Sequence, residues 1–246
     1  MYHKFSHYYD KIFQSTANQI DFIKKRTPEK GKVLDLAAGT GNQAISLYKI
    51  GYDVSAIEYD HNMYLLMKDK MKTFQLNVQM IEGDMRHIDT YFPPLSFNTI
   101  YCVGNSIVHL SSLKEIESVI EKAYSLIKPD GVFLIQNINY DRILEDRVTS
   151  LPAIINVDAP KEKIEFERNY EIVSHEKIIF RTGLKIYNGE FLTHEFDGAV
   201  PLYPLLSKEL NHILEKIGFK QINLYGSYQE EPYHSKSYAL VVEAIK

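Results

Sequence analysis

Apolar and polar positions follow two different periods along the chain, and the period changes near residue 140. Before that point, short apolar runs alternate with amphipathic segments. This pattern predicts strands at 32–36, 53–58, 78–82, 97–103 and 132–136, and helices at 42–50, 61–71 and 112–127. Residues 5–26 are predicted to form one further helix that ends before Thr27-Pro28. Strands that alternate with helices are typical of an α/β doubly wound sheet covered on both faces.

Strict alternation of apolar and polar residues replaces this pattern in the second half of the chain. It predicts antiparallel strands at 164–173, 176–187 and 190–200, with Asn188-Gly189 as a hairpin turn. A helix at 206–217 and strands near 220–227 and 237–245 follow. The sequence therefore predicts one α/β domain, 1–139 and 206–246, interrupted by an antiparallel β lid, 140–205. Long insertions in such folds usually cover the functional site.

Length, charge and cysteine content limit the kinds of fold and ligand that this chain can have. A chain of 246 residues suits one α/β domain with an insertion. The net charge is -4 and the basic residues are scattered, which argues against a nucleic-acid substrate. Cys102 is the single cysteine, and no Cys/His spacing is typical of a metal site. We expect a cytoplasmic protein without signal peptide or membrane span, since no apolar run approaches about 20 residues. The oligomeric state stays open.

A glycine-rich segment, Val33–Asn42 (VLDLAAGTGN), joins the first predicted strand to the helix after it. Gly39 and Gly41 allow the backbone to approach a ligand closely, and the helix start supplies free amide groups. Asp35 and Ala37 of the same segment are further candidates for ligand binding. By itself such a loop fits either a dinucleotide site or a simple tight turn.

Carboxylates after the next two strands point to an adenosine. Glu58 ends the second strand, 17 residues after Gly41, where a carboxylate can accept both ribose hydroxyls. Tyr59 and Met63 follow and are candidates to flank the adenine ring. Asp84 and Met85 end the third strand, where a carboxylate and an apolar side chain suit the amino edge and the face of adenine.

The loop itself argues against a phosphate-bearing ligand. Ala37 and Ala38 stand where the phosphate-binding form of this loop keeps a glycine. S-adenosylmethionine contains an adenosine and has no phosphate, so it fits this combination of features.

The whole set resembles the class I S-adenosylmethionine-dependent methyltransferases. The resemblance covers residues 33–135 and ends with Lys128-Pro-Asp-Gly131; Asn98 stands where the family often has Asp. It implies a Rossmann-like seven-stranded sheet and S-adenosylmethionine as cofactor, with S-adenosylhomocysteine as product. It also implies in-line displacement of the methyl group from the sulfonium, for which positioning matters more than a strong base.

Two stretches resemble the glycine and amino-sugar N-methyltransferases more narrowly. They are Val103–Leu110 (VGNSIVHL) and Asn139–Leu144 (NYDRIL). The resemblance implies that Val103 and His109 touch the cofactor, that Asn105 lies beside a small-molecule amine, and that Tyr203 points into the site. Ser6–Asp10 (SHYYD) resembles a segment that folds over the cofactor in this group, so Tyr9 joins the catalytic candidates.

Purely structural roles remain open for these residues. Asn105 also fits a turn former, His109 a polar cap before a helix, and Tyr9 ordinary helix packing. Ile138 stands where the glycine enzymes carry an arginine that clamps the substrate carboxylate, so we expect an acceptor other than glycine. Gln14 and Ser15 occupy the region of a second arginine of that group. A non-catalytic S-adenosylmethionine-binding module and a methyltransferase of RNA or protein remain the alternatives.

Overall fold

The computed structural model describes residues 6–159 and 162–246, which form two sheets. The strands in chain order are β1 (Lys32–Leu36), β2 (Asp53–Glu58), β3 (Gln79–Glu82), β4 (Phe97–Cys102), β5 (Ile127–Ile138), β6 (Ser150–Ala159), β7 (Glu162–Ser174), β8 (Lys177–Asn188), β9 (Phe191–Leu202), β10 (Gln221–Tyr225) and β11 (Ala239–Ile245). The central sheet has the order β10-β11-β5-β4-β1-β2-β3, and β11 is antiparallel to both neighbours. The order reverses between β1 and β4, so a crevice opens at the carboxyl ends of these strands.

Helices cover both faces of this sheet, which confirms the predicted α/β doubly wound fold. They are α1 (Ser6–Ile12), α2 (Ala17–Lys25), α3 (Asn42–Lys49), α4 (His61–Thr73), α5 (Ile88–Tyr91), α6 (Leu113–Leu126), α7 (Tyr140–Glu145) and α8 (Ser207–Ile217). One apolar cluster contains α6 and α8, and another contains α2, α3 and α4. The buried side chains of α6 recur every three to four residues, and Ser112 caps its start by accepting the Glu115 N–H. No helix in the described ranges is long and apolar enough to cross a membrane.

The second sheet is antiparallel, in the order β6-β7-β8-β9, and it lies between β5 and α8 in the chain. One end of its apolar face packs against α1 through Phe166 and Leu184. The other end joins the main core through Tyr170, Phe180 and Leu202. Consequently this sheet bridges the N-terminal helix and the central sheet.

The prediction of one N-terminal helix over 5–26 is wrong. The described part of this segment forms α1 and α2, separated at residues 13–16, and residue 5 lies outside the described residues. Thr16 caps α2 by accepting the Gln19 N–H at 3.2 Å. A Thr followed three residues later by Gln is a start signal for a helix, and it was present in the sequence.

The number of antiparallel strands was also predicted incorrectly. The sequence predicted three, and the structure adds β6, which pairs with β7 from Ser150 onwards. Pro152 argues against a strand in sequence alone, but β6 is an edge strand and its register shifts between Leu151 and Ile154. The predicted strand at 132–136 extends back to Ile127, because Asp130, at φ 59°, lets the segment 128–131 bulge within β5.

Candidate active site

Glu58 fixes the glycine-rich loop to the end of β2. Glu58 is 8% exposed, and its carboxylate accepts the backbone N–H of Gly39 at 2.7 Å and of Asp60 at 2.8 Å. Burial raises the pKa of Glu58, and these two hydrogen bonds act in the opposite direction. Both carboxylate oxygens keep a further lone pair for a ligand hydroxyl.

The loop between β1 and α3 turns through left-handed backbone conformations. Ala37 has φ 64° and Gly41 has φ 80°. A Cβ on Gly41 would lie 2.8 Å from Cγ of Met67, so any other residue would have to displace the Met67 side chain. A positive φ is uncommon for alanine, and such backbone strain clusters at ligand sites. Ala37 stands where the phosphate-binding form of this loop keeps a glycine, and in the structure it still adopts the left-handed backbone conformation that glycine favours.

Asp35 is a buried carboxyl with an incomplete set of partners. It is 2% exposed at the end of β1, and burial raises its pKa to about 8, although the nearby Tyr101 hydroxyl acts in the opposite direction. Neither Asp35 Oδ2 nor the Tyr101 hydroxyl makes a hydrogen bond of normal geometry to another described residue. An orphaned carboxylate oxygen of this kind suits a cationic ligand.

Two cavities meet at this edge of the sheet. The larger has a volume of about 470 Å³ and the smaller about 250 Å³, and Tyr9, Ala37, Gly104 and Ser106 line both. The predicted residues in the wall of the larger cavity are Tyr9, Ala37, Gly39, Glu58, Tyr59, Met63, Asp84, Met85 and His109. Those in the wall of the smaller cavity are Tyr9, Ala37, Asp35 and Val103. The structure thus brings most of the predicted site together.

Helix α1 covers the glycine-rich loop between β1 and α3. Tyr9 Cε1 lies 3.4 Å from the position that a Cβ of Gly39 would take, so the ring covers the glycine-rich loop. Asp10 accepts hydrogen bonds from the Asn42 amide at 2.9 Å and from Lys70 Nζ at 2.7 Å. These contacts attach the N-terminal helix to the loop and to α4.

Asp84 is engaged by a residue that sequence reasoning missed. The guanidinium of Arg86 lies 2.6 Å from Asp84 Oδ2, and the Arg86 N–H donates to Oδ1 at 2.9 Å. Partial burial raises the pKa of Asp84, but the hydrogen bonds and charge of Arg86 outweigh it, so the pKa lies below its usual value. Arg86 also lines the larger cavity, and its position two residues after Asp84 was the available signal.

His109 contributes an uncharged imidazole to the wall of the larger cavity. The residue stays accessible from the cavity, yet the surrounding protein removes enough water to lower the pKa of His109 to about 4. At neutral pH the ring can therefore accept a hydrogen bond but is a weak base toward an ammonium group.

Asn105 and Tyr203 lie behind the cavity walls. The Asn105 side-chain amide bonds the Ile138 N–H at 3.1 Å and the Tyr140 hydroxyl at 3.0 Å. The Tyr203 hydroxyl donates to Glu209 at 3.0 Å, and its N–H donates to the Val108 carbonyl at 2.8 Å. Both residues hold the segment between β4 and α6, in which Gly104, Ser106 and His109 line the larger cavity.

We expect Asn105→Ala to lower kcat about tenfold, because the substitution removes the neutral side-chain amide and its hydrogen bonds. Cofactor affinity should stay within about twofold of wild type. The reason is that Asn105 holds the segment in which Gly104, Ser106 and His109 line the larger cavity, and does not itself line either cavity. Steady-state kinetics and cofactor titration measure the two effects separately. Asn105→Gly is the matched control for backbone strain, because glycine tolerates the φ of 65° at this position and also lacks the amide. An equal loss of kcat in both variants would assign the effect to the amide. A cofactor affinity that falls in parallel with kcat would contradict a positioning role.

Comparisons with known proteins agree with this geometry. A family model described as a methyltransferase domain matches residues 33–131. The glycine/sarcosine N-methyltransferase of Aphanothece halophytica is 26% identical over 225 residues, which covers 89% of this chain and 78% of that protein. A solved S-adenosylmethionine-dependent methyltransferase from Clostridium acetobutylicum shares the fold with a TM-score of 0.77, at 18% identity over 99% of this chain and 98% of that one. A sugar N-methyltransferase from Streptoalloteichus has a TM-score of 0.72, at 13% identity over 100% and 92%.

The sheet order, the loop with Glu58 and these matches define a class I S-adenosylmethionine-dependent methyltransferase. S-adenosylmethionine is its cofactor. Within the class, the chain is similar to glycine/sarcosine N-methyltransferases.

Proposed function

We propose that the protein transfers a methyl group from S-adenosylmethionine to an amine nitrogen of a small molecule. The observation that carries this proposal is the pair of joined cavities, whose walls include Val200 and Pro201 of β9. A concave site of this size suits a small molecule better than a polymer. The relatives described above are glycine, sarcosine and sugar N-methyltransferases, which supports an amine as acceptor.

The residues present fit the cofactor. Glu58 would accept hydrogen bonds from the ribose hydroxyls, and Asp35 would pair with the ammonium group through its orphaned oxygen. Met63 and Met85 would contact the faces of the adenine, with Asp84 at its edge and Tyr59 at the rim. Gly39, Gly41, Ala37 and Val103 would supply the close backbone approach.

Bound S-adenosylmethionine supplies an electrophilic methyl group on a sulfonium, so the protein mainly needs to position the acceptor. Orientation alone can supply about 7–11 kcal/mol. Tyr9, shared by both cavities, would exclude water above the reacting atoms. The neutral ring of His109 would accept a hydrogen bond from the acceptor nitrogen and orient its lone pair.

We assign residues 140–205 as a lid over this site. Its antiparallel sheet contacts α1 at one end and the main core at the other, and it contributes Val200 and Pro201 to the cavity wall. The remaining residues, 1–139 and 206–246, then form the cofactor-binding domain. Asn105 and Tyr203 act here as positioning residues.

Calorimetric titration with S-adenosylmethionine, followed by mass spectrometry of products from an amine panel, tests the proposal. We expect binding and at least one singly methylated amine. Absence of binding at millimolar cofactor would contradict the proposal. Binding with no methylated amine would favour a non-catalytic module, and methylation of RNA or protein would reassign the acceptor.

A further inference from the structure

Arg86 is held by three contacts in the wall of the larger cavity. Its guanidinium donates to Asp84 Oδ2 through Nε at 3.0 Å and through Nη2 at 2.6 Å, and its Nη1 lies 3.4 Å from Glu115 Oε1. Its backbone carbonyl accepts a hydrogen bond from Lys122 Nζ at 2.6 Å. Single ion pairs at a surface contribute little, but several charges joined in one network hold a side chain in place. The guanidinium is therefore a fixed part of the cavity wall.

The two acidic partners of Arg86 come from different sides of this cavity. Asp84 directly follows β3, whereas Glu115 lies in the first turn of α6. The Glu115 carboxylate also accepts the N–H and the hydroxyl of Ser111, each at 2.8 Å. All four of these residues line the cavity. Arg86 thus links the strand end that carries Asp84 to the segment before α6.

The hydrogen bonds from Arg86 fix the orientation of the Asp84 carboxylate. A carboxylate has about four lone-pair sites. The Arg86 N–H occupies one site on Oδ1 at 2.9 Å, and the guanidinium occupies both sites on Oδ2. Among the described residues, this leaves one lone pair of Oδ1 for a ligand.

The side chain of Arg86 is needed for this orientation, because the backbone N–H alone would not determine it. The terminal torsion of an aspartate has a broad energy minimum, so a carboxylate held at one oxygen can still turn. Bonds to both oxygens define its plane. The guanidinium is the group that adds the bonds to Oδ2.

We propose that Arg86 is a specificity-determining residue for the cofactor, because it holds Asp84 in the orientation that accepts the 6-amino group of adenine. This inference rests on the proposed function, in which Asp84 lies at the edge of the adenine. An acceptor that is already oriented loses no rotational freedom when the base binds, whereas a turning carboxylate does. Arg86 acts through Asp84 and is therefore a positioning residue.

Calorimetric titration with adenosine and with purine riboside tests this role. Purine riboside has a hydrogen atom in place of the 6-amino group, and both nucleosides have the same ribose, so any contact to Glu58 contributes equally. We expect the wild-type protein to bind adenosine about tenfold or more tighter, the strength of a hydrogen bond to a charged group.

Substitution of Arg86 should lower this preference without a matching loss of affinity for purine riboside. In Arg86→Gln the ratio of the two dissociation constants should fall to about threefold or less, because the carboxylate must be ordered on binding. Purine riboside should bind within about twofold of wild type. Arg86→Lys should retain part of the preference, since an ammonium keeps the charge but lacks the planar fork of the guanidinium.

Lys122→Gln is the matched structural control. Lys122 binds the Arg86 carbonyl and pairs with Asp89 at 3.0 Å, so its loss loosens the same contact between α6 and the turn after β3 while both side-chain partners stay in place. This variant should keep the wild-type ratio. Asp84→Ala should remove the preference and provides the reference for complete loss. Arg86 is exposed, so its substitution should leave the melting temperature close to that of wild type.

Three results would overturn the inference: a preference that survives Arg86→Gln, an equal loss of preference in Lys122→Gln, or no preference in the wild-type protein. The last result would also remove Asp84 from the adenine edge, but methylation of the amine panel would still decide the proposed function. A preference that is lost in Arg86→Gln and kept in Lys122→Gln supports the inference even if no amine is methylated.

Discussion

Asp35→Asn is expected to stabilise the ligand-free protein. The carboxyl ionises near pH 4 in the unfolded chain, whereas its pKa is raised to about 8 in the folded protein. The folded state thus binds one more proton between these values, and its stability falls as pH rises from about 4 to about 8. Asparagine has no carboxyl to ionise, so the variant loses this dependence of stability on pH. We expect its free energy of unfolding at pH 8 to exceed that of the wild type by about 2–4 kcal/mol. Urea denaturation at several pH values measures the change.

The same substitution is expected to weaken cofactor binding by about tenfold to a hundredfold, as for loss of a charged hydrogen-bond partner. An asparagine keeps the size of the side chain but cannot pair with an ammonium group. The cofactor affinity of the wild-type protein should therefore increase as pH rises toward 8 and Asp35 loses its proton. The affinity of the variant should not show this increase. Calorimetric titration at pH 6 and pH 8 measures it.

Asp53→Asn is the control for both effects of Asp35→Asn. Asp53 is exposed at the opposite end of the sheet, so neither stability nor affinity should change by more than about 0.5 kcal/mol. An Asp35→Asn protein that is less stable without cofactor, or that binds cofactor as well as wild type, would contradict the assigned role of the orphaned carboxylate.

The proposed cofactor end of the site was predictable because it is built from consecutive strand ends. Asp35 and Glu58 lie at the ends of β1 and β2, and Asp84 follows β3. The apolar pattern identifies these three strands, and the carboxyl ends of parallel strands meet at one edge. The positions of the three carboxylates along the chain therefore predicted that they lie close together. The conformation of Ala37 and the pairing of Asp84 with Arg86 depend on packing and required the structure.

The proposed acceptor end was less predictable because its parts come from distant segments. Residue type alone could not show that Asn105 and Tyr203 face hydrogen-bond partners instead of the cavities. The alternation in 164–173 and 190–200 identified strands, but it could not show that Val200 and Pro201 of β9 line the larger cavity.

Glu58→Ala is expected to weaken the binding of S-adenosylmethionine tenfold or more, about 1.5–3 kcal/mol for charged hydrogen bonds. The carboxylate has two functions in the structure, since it would accept ribose hydroxyls and it holds the N–H groups of Gly39 and Asp60. Glu58→Gln should also lose affinity, because its amide NH₂ would face one of these N–H donors. Glu82→Ala is the matched control: Glu82 is in register with Glu58 on β3 but is exposed and bound to His61.

Adenosine and deoxyadenosine separate the two functions of Glu58. If the carboxylate accepts the ribose hydroxyls, the wild-type protein should bind adenosine about tenfold tighter than deoxyadenosine, and Glu58→Ala should bind the two equally. If it only supports the loop, the variant should bind both nucleosides more weakly and keep the ratio. The ratio of the two dissociation constants therefore decides the role of Glu58 independently of any general loss of loop structure, and a ratio that survives the substitution would place the ribose contact elsewhere in the cavity.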